Sequence, residues 1–168
     1  MKTLVKFDCS IGDIHIEWTN SNRKITRIYL PEDPIFVTNE ASTTAVLKKG
    51  DKLPDLLNQV LLKLEHYFTG KKTEFSFELL DVSMYSAFRQ RVYRQAHAIP
   101  WGETRSYADV ASLVESPNSA RAVGATMASN PVPIIIPCHR VVSSDGSLRG
   151  YRGGLEMKKQ LLRIEHKS

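Results

Sequence analysis

The chain has 168 residues, 42% hydrophobic and 24% charged, with a formal net charge of +5, the proportions of an ordinary soluble globular protein of one large or two small domains. No stretch approaches the roughly 20 apolar residues that span a bilayer, and Met1-Lys2-Thr3-Leu4-Val5-Lys6 turns charged again too soon for a secretory signal. Two cysteines, Cys9 and Cys138, give no disulfide framework and suit a reducing, cytoplasmic setting. The charge is uneven: residues 1–81 hold 11 Lys+Arg against 12 Asp+Glu, and residues 82–168 hold 12 against 6. Nine of those later twelve are arginine, whose planar fork suits phosphate and base recognition, so nucleic acid becomes the leading partner class. A solvated basic face is the plain alternative.

The first thirty residues read as an antiparallel meander: Leu4, Val5 and Phe7, a turn at Ser10-Ile11-Gly12-Asp13, alternation through Ile14, Ile16 and Trp18, then Ile25, Ile28 and Tyr29. Residues 31–53 are polar and look like a long irregular connection, with one short strand near Ile35 to Val37. From Pro54 the period changes, and Leu56, Leu57, Val60, Leu61, Leu64, Tyr67 and Phe68 form a helical stripe that stops at Gly70. Phe75 and Phe77 suggest one more strand. This gives an α+β unit over 1–80, with Asp81 to Tyr85 as linker.

The second half, 86–168, is mainly helical. A helix through Phe88, Val92 and Ala96 ends before Ile99-Pro100-Trp101-Gly102. Ser106 can cap a helix from Tyr107 to Val114, and after the turn Glu115-Ser116-Pro117-Asn118 a second runs from Ser119 to Ala128, ending at Asn130-Pro131. Two short helices about a tight turn resemble a helix-turn-helix. The second carries one charge, Arg121, among mostly small side chains, which allow a close approach, either to another helix or to an outside partner. No internal repeat or low-complexity segment interrupts this order.

The apolar run Val132 to Ile136 leads into Pro137-Cys138-His139-Arg140-Val141. A thiol with an ordinary pKa of about 8.5 is mostly protonated at neutral pH, so a nucleophilic cysteine needs basic or cationic neighbours, which His139 and Arg140 supply. A buried structural cysteine at a strand end is the plain alternative.

Ile134 to Val141, with Arg121-Ala122-Val123-Gly124 and Asn130-Pro131-Val132-Pro133 before it, resembles the O6-alkylguanine-DNA alkyltransferase family. The resemblance extends over most of residues 86–168, including Ile99 to Thr104, Ser106-Tyr107 and Gly150-Tyr151-Arg152-Gly153-Gly154-Leu155; residues 1–80 are similar only in size and architecture. It implies an RNase H-like N-terminal α+β domain before a winged helix-turn-helix-like domain that binds DNA and accepts the alkyl group. It also implies direct repair: Cys138 takes the alkyl group from O6 of a damaged guanine and is consumed, without metal or cofactor, with O4-alkylthymine an open second substrate. His139 then acts on the thiol through a water, Glu165 orients His139, and Asn130 braces the turn carrying Cys138. Tyr107 assists extrusion of the base and serves guanine N3, Arg121 fills the vacated stack, and Ser106, Ala120, Ala122, Gly124 and Ala125 lie along the minor groove. The protein is expected to act as a monomer on double-stranded DNA, with little sequence preference and no membrane association. Met127, Val141, Tyr151, Arg152 and Gly153 form the guanine pocket, with backbone acceptors at Cys138 and Val141 and amide donors near Arg152 and Gly153. Some relatives carry serine at Arg152, which puts pocket breadth in question; others hold zinc in the first domain, but Cys9, His15 and His66 lack ligand spacing, so no metal is expected. Cys9 is expected in the core of the first strand. Arg140 is left as structural or phosphate-facing.

Two rival classes remain. A non-catalytic lesion-binding relative would lack the reactive cysteine, which Cys138 opposes. A Cys-His-Glu hydrolase would need an oxyanion hole and a deacylating water, and no cysteine-hydrolase signature accompanies the motif.

Overall fold

The computed structural model describes residues 2–31, 33, 46–48 and 51–166. Strands β1 (Lys2–Cys9), β2 (Gly12–Thr19) and β3 (Lys24–Tyr29) form the expected meander. Ile14, Ile16 and Trp18 alternate into the core along β2, the period-two pattern of a half-buried strand. Gly12, at the hairpin, has φ +112°, and a side chain there would press on Pro31 at 3.0 Å. Cys9 is half-buried at the hairpin end, its thiol donating to Gly12 O at 3.0 Å, so it sits beside the core rather than within it.

The long connection is not wholly irregular. Val46–Lys48 forms β4, which pairs parallel with β1, giving a mixed sheet of order β3-β2-β1-β4. Three residues are too few for an alternation to show in sequence. The expected strand at Ile35 to Val37 lies outside the described residues.

Helix α1 (Asp55–Phe68) follows Pro54, has Asp55 in its first turn, and buries Leu57, Val60, Leu61, Leu64, Tyr67 and Phe68 on one face. The strand expected at Phe75 and Phe77 is instead a single 3₁₀ turn, Phe77–Leu79, capped by Ser76. Phe77 instead stacks edge-on against His97, with Arg94 over its ring, and Leu80 makes an isolated bridge to the sheet at Ile25.

Helix α2 (Ala87–His97) buries Val92, Tyr93 and Ala96. Helices α3 (Tyr107–Leu113) and α4 (Ala120–Ala128) form the helix-turn-helix pair. Ser106 closes a full capping box with Asp109, satisfying two terminal backbone donors. Glu115, at φ +58°, turns the chain, and Ser116 N bonds back to Ala111 O at 2.9 Å. The last helix is α5 (Gly154–His166).

Two further strands escaped the periodicity. Arg105–Ser106 (β5) pairs parallel with Val141–Val142 (β6), which draws the start of α3 to the segment after Cys138. The halves of the chain meet through Ile28 N to Pro131 O at 2.9 Å.

Candidate active site

Cys138 is 4% exposed and opens a 3₁₀ turn, Cys138–Arg140. The chain reaches it through a tight loop in which Ile134 adopts φ +74°, a conformation that a β-branched residue holds only under constraint. Buried Asn130 provides it: Nδ2 donates to Ile136 O at 2.8 Å and to Cys138 Sγ at 3.0 Å, while Oδ1 accepts from Val132 N at 3.0 Å. One side chain thus ties both ends of the loop to the thiol.

The next two residues turn inward. His139 is fully buried, its Nε2 2.6 Å from Glu165 Oε1. Arg140 is 7% exposed: Nε donates to Glu165 Oε2 at 2.9 Å, Nη2 to Oε1 at 3.0 Å, and Nη1 to Ile99 O at 2.6 Å. Arg140 is therefore structural and not phosphate-facing, because the buried carboxylate offers a bidentate, desolvated partner. Gly102 N also donates to Oε2, at 3.3 Å, from a turn whose φ of +77° suits glycine. Tyr67 Oη donates to Oε1 at 3.0 Å.

Burial opposes the charge on Glu165, but the hydrogen bonds from His139 and Arg140 and the Arg140 charge outweigh it and hold the carboxyl at about 2, against an ordinary 4.5. The ionised carboxylate can only accept, so His139 donates from Nε2, which leaves Nδ1 as its basic nitrogen. Nδ1 is buried with no hydrogen-bond partner among the described residues. Burial lowers the His139 pKa; Glu165 opposes that shift, and the charges of Arg140 and Lys158 add to it. Burial raises the Cys138 thiol, against the Asn130 hydrogen bond, the Lys158 charge, the nearby Tyr151 hydroxyl and the Arg152 charge. The resting site is thus a neutral thiol beside a neutral imidazole.

Tyr107 and Lys158 form a second group. Tyr107 is half-buried at the start of α3, its hydroxyl donating to Arg149 O at 3.1 Å. Lys158 Nζ, from α5, donates to Val141 O at 2.7 Å and lies 3.5 Å from the Tyr107 hydroxyl. Gly124 on α4 faces the Tyr107 ring: a side chain there would touch it at 3.8 Å.

On α4, Arg121, Ala122 and Ala125 are exposed, Ala120 and Gly124 partly so, while Val123, Thr126 and Met127 face the core. Small side chains and one arginine therefore line the outer face. Arg152 forms an ion pair with buried Asp33 at 2.8 Å. Gly153 is closely enclosed: a side chain there would meet Leu30, Met157 and Tyr151 at 3.1 Å. Tyr151 buries its hydroxyl close enough to the thiol to affect its titration, without a hydrogen bond of normal geometry.

The structure thus gathers Cys138, His139, Glu165 and Asn130 into one buried group, with Tyr107, Val141 and Tyr151 beside it, and leaves Arg121 on the outer face. Sequence reading missed Tyr67, Gly102 and Lys158. A signal existed for two of them. Tyr67 lies on the buried stripe of α1, and a buried phenol needs a partner; Lys158, Leu161 and Glu165 share one helical face, so that face carries two charges inward. Among the described residues no group of three or more His, Cys, Asp or Glu side chains is placed to hold a metal, and no helix is long and apolar enough to cross a membrane.

An α+β unit joined to a helix-turn-helix with a buried cysteine, histidine and glutamate defines the class: a DNA-binding fold built around a buried thiol. The chain belongs to the 6-O-methylguanine DNA methyltransferase family, whose "ribonuclease-like domain" matches residues 4–82 and whose "DNA binding domain" matches residues 87–167. It is 47% identical over 128 residues to the methylated-DNA--protein-cysteine methyltransferase of Mycobacterium leprae, covering 76% of this chain and 74% of the relative. It is 47% identical over 105 residues to the enzyme of the same name from Mycolicibacterium paratuberculosis, where the alignment spans 62% of each chain. A solved structure of Mycobacterium tuberculosis OGT in complex with DNA superposes with a TM-score of 0.80 at 34% identity, covering 98% of this chain and 93% of that one.

Proposed function

We propose that this protein repairs alkylated duplex DNA directly, Cys138 accepting the alkyl group from O6 of guanine in a single irreversible turnover. The observation that carries the reading is the buried relay itself: a thiol braced by Asn130, followed in sequence by an imidazole whose free basic nitrogen is set by an ionised Glu165. The relatives named methylated-DNA--protein-cysteine methyltransferase support the same activity.

In the reaction the Cys138 S–H proton passes through a water to His139 Nδ1, and sulfur attacks the alkyl carbon. The S–C bond forms as the C–O6 bond breaks. Glu165 stabilises the imidazolium without taking its proton, because Arg140 and Gly102 already hold its oxygens. The departing guanine gains a proton at N3 from Tyr107, whose hydroxyl exchanges its bond to Arg149 O for the base, and Lys158 steadies that hydroxyl. Cys138 and Val141 backbone oxygens accept from the guanine amino group, Val141 O sharing its second lone pair with Lys158. Met127 and Tyr151 wall the pocket, and amides at Arg152 and Gly153 face O6. Tyr107 is left as a phenolate beside the Lys158 ammonium and is reprotonated through solvent as the His139 imidazolium gives up the thiol proton, so that alkylguanine and thiol become guanine and thioether without a cofactor.

A stacked base cannot reach a buried sulfur, so it must be rotated out. Helix α4 enters the minor groove with Ala120, Ala122, Gly124 and Ala125 against the backbone, Ser106 at the start of α3 contacts phosphate, and Arg121 occupies the vacated stack. With few base-edge readers, binding is largely independent of sequence. Residues 1–80 and 86–168 act as two units joined by 81–85, the protein works as a monomer, and free thiols at Cys9 and Cys138 suit the cytoplasm. Incubation with duplex DNA containing O6-methylguanine should add one methyl to the peptide holding Cys138; an unmodified Cys138 would sink the proposal.

A further inference from the structure

We infer that the Tyr67 hydroxyl sets the proton affinity of His139, so that the first half of the chain supplies a positioning residue to the transfer site. The inference rests on the function proposed above and concerns a residue outside the helix-turn-helix half. Tyr67 is 1% exposed on α1. Its ring packs edge-on against Trp101 at 5.2 Å and Phe68 at 5.3 Å. A phenylalanine would keep both contacts, so packing alone does not account for the hydroxyl.

The hydroxyl has a defined place. Oη lies 3.0 Å from Glu165 Oε1 and 3.3 Å from His139 Nε2, while those two atoms are 2.6 Å apart. An ionised carboxylate offers no proton and Nε2–H points to Oε1, so the phenol must donate to Oε1. Its oxygen can then only share the Nε2 proton as a weak second acceptor. Oε1 is consequently divided among three donors: the phenol, the imidazole and Arg140 Nη2. Charge drawn to the phenol is charge not available to imidazolium.

The charged and titratable groups facing His139 are Glu165 and Lys158 from α5, Arg140 and Cys138 from its own turn, and Tyr67 from α1. Apart from the nucleophile Cys138, Tyr67 is the member of this set that can lose its polar group while every formal charge stays in place. Removing it returns Oε1 to the imidazole, raises the proton affinity of His139 and strands the base in its protonated form at mildly acid pH. Burial and the Glu165 charge keep the phenol itself protonated, its pKa well above the ordinary value, so it remains a donor throughout.

The test uses the full chain and Tyr67→Phe. Single-turnover methyl transfer from duplex O6-methylguanine DNA is followed from pH 5 to 9, and the His139 ring is titrated by NMR. The acid limb of the rate should move to higher pH, making the variant about threefold slower than the unsubstituted protein at pH 6 with convergence above pH 8, and the His139 midpoint should rise with it. Superimposable profiles, or an equal slowing at every pH, would overturn the inference, since packing loss predicts the latter. A second measurement does not depend on the variant folding: in the unsubstituted protein the Tyr67 ring signals should shift at the His139 midpoint, and signals that ignore it overturn the inference. Should the unsubstituted protein transfer no methyl group, the functional reading falls, while the two NMR titrations still decide the role of Tyr67.

Discussion

At Glu165 a carboxylate with 2% exposure keeps its charge because Arg140, His139, Tyr67 and Gly102 all donate to it. Its pKa of about 2 in the folded chain, against 4.5 when free, gives a contribution of about 3 kcal/mol. That contribution is fully present above pH 4.5 and is lost as pH falls toward 2. The His139 pKa is also lowered on folding, chiefly by burial. The unfolded chain therefore takes up a proton below about pH 6.5 that the folded chain refuses. Both effects have one sign, so the denaturant midpoint should hold between pH 7 and 8 and fall progressively below pH 6. A midpoint constant from pH 7 to 4 would contradict this electrostatic picture. The sequence showed the residue types at this site but not their pairing. Arg140 could have faced solvent as well as Glu165, because 24 residues separate those two and no periodicity reports which long side chain crosses the gap.

At the scale of elements, α4 divides its residues by face: Val123, Thr126 and Met127 fix it to the core, and Arg121, Ala122 and Ala125 look outward. A helix with one charge and small neighbours on its outer face can lie close to a nucleic-acid backbone while offering a single long side chain to the stack. Arg121→Ala should therefore slow methyl transfer from duplex DNA at least tenfold while leaving attack on the free base O6-benzylguanine within about twofold, since only the duplex must be opened. Comparable slowing of both substrates in paired rate measurements would remove the intercalating role. The helices were legible because caps and stripes are local: Ser106 caps α3 as its place in the sequence suggests, and Asp109 returns the bond to close a box. The short strands were not. β4, β5 and β6 span two or three residues each, and their existence depends on partners far along the chain. The pair of phenylalanines at 75 and 77 gave an alternation without a strand: Phe77 opens a 3₁₀ turn and packs on His97 of α2, and Phe75 precedes that turn with its backbone oxygen 2.8 Å from His97 Nε2.

Over the whole molecule, the positive excess lies in the half that carries the helix-turn-helix. Binding to undamaged duplex should weaken steeply as salt rises, each neutralised phosphate adding about 0.9 to the slope of log affinity against log salt; a flat response would mean that the basic half has another purpose. The sequence reading set the boundary between two units near residue 80, where the charge balance changes. What the sequence hid is how the first unit serves the second. Tyr67 reaches Glu165 and His139 across the junction, and Asp33 pairs with Arg152. Both contacts join residues roughly a hundred positions apart, a separation at which chain order carries no information about contact. Residue, element and whole molecule converge on one proposed event, the consumption of Cys138 by a single transfer. The direct measurement is the number of methyl groups moved per chain from excess O6-methylguanine duplex, read by intact mass. One methyl group on Cys138, with no further transfer however long the incubation, is the predicted result; continued turnover, or tight binding of the lesion with Cys138 unmodified, would contradict it.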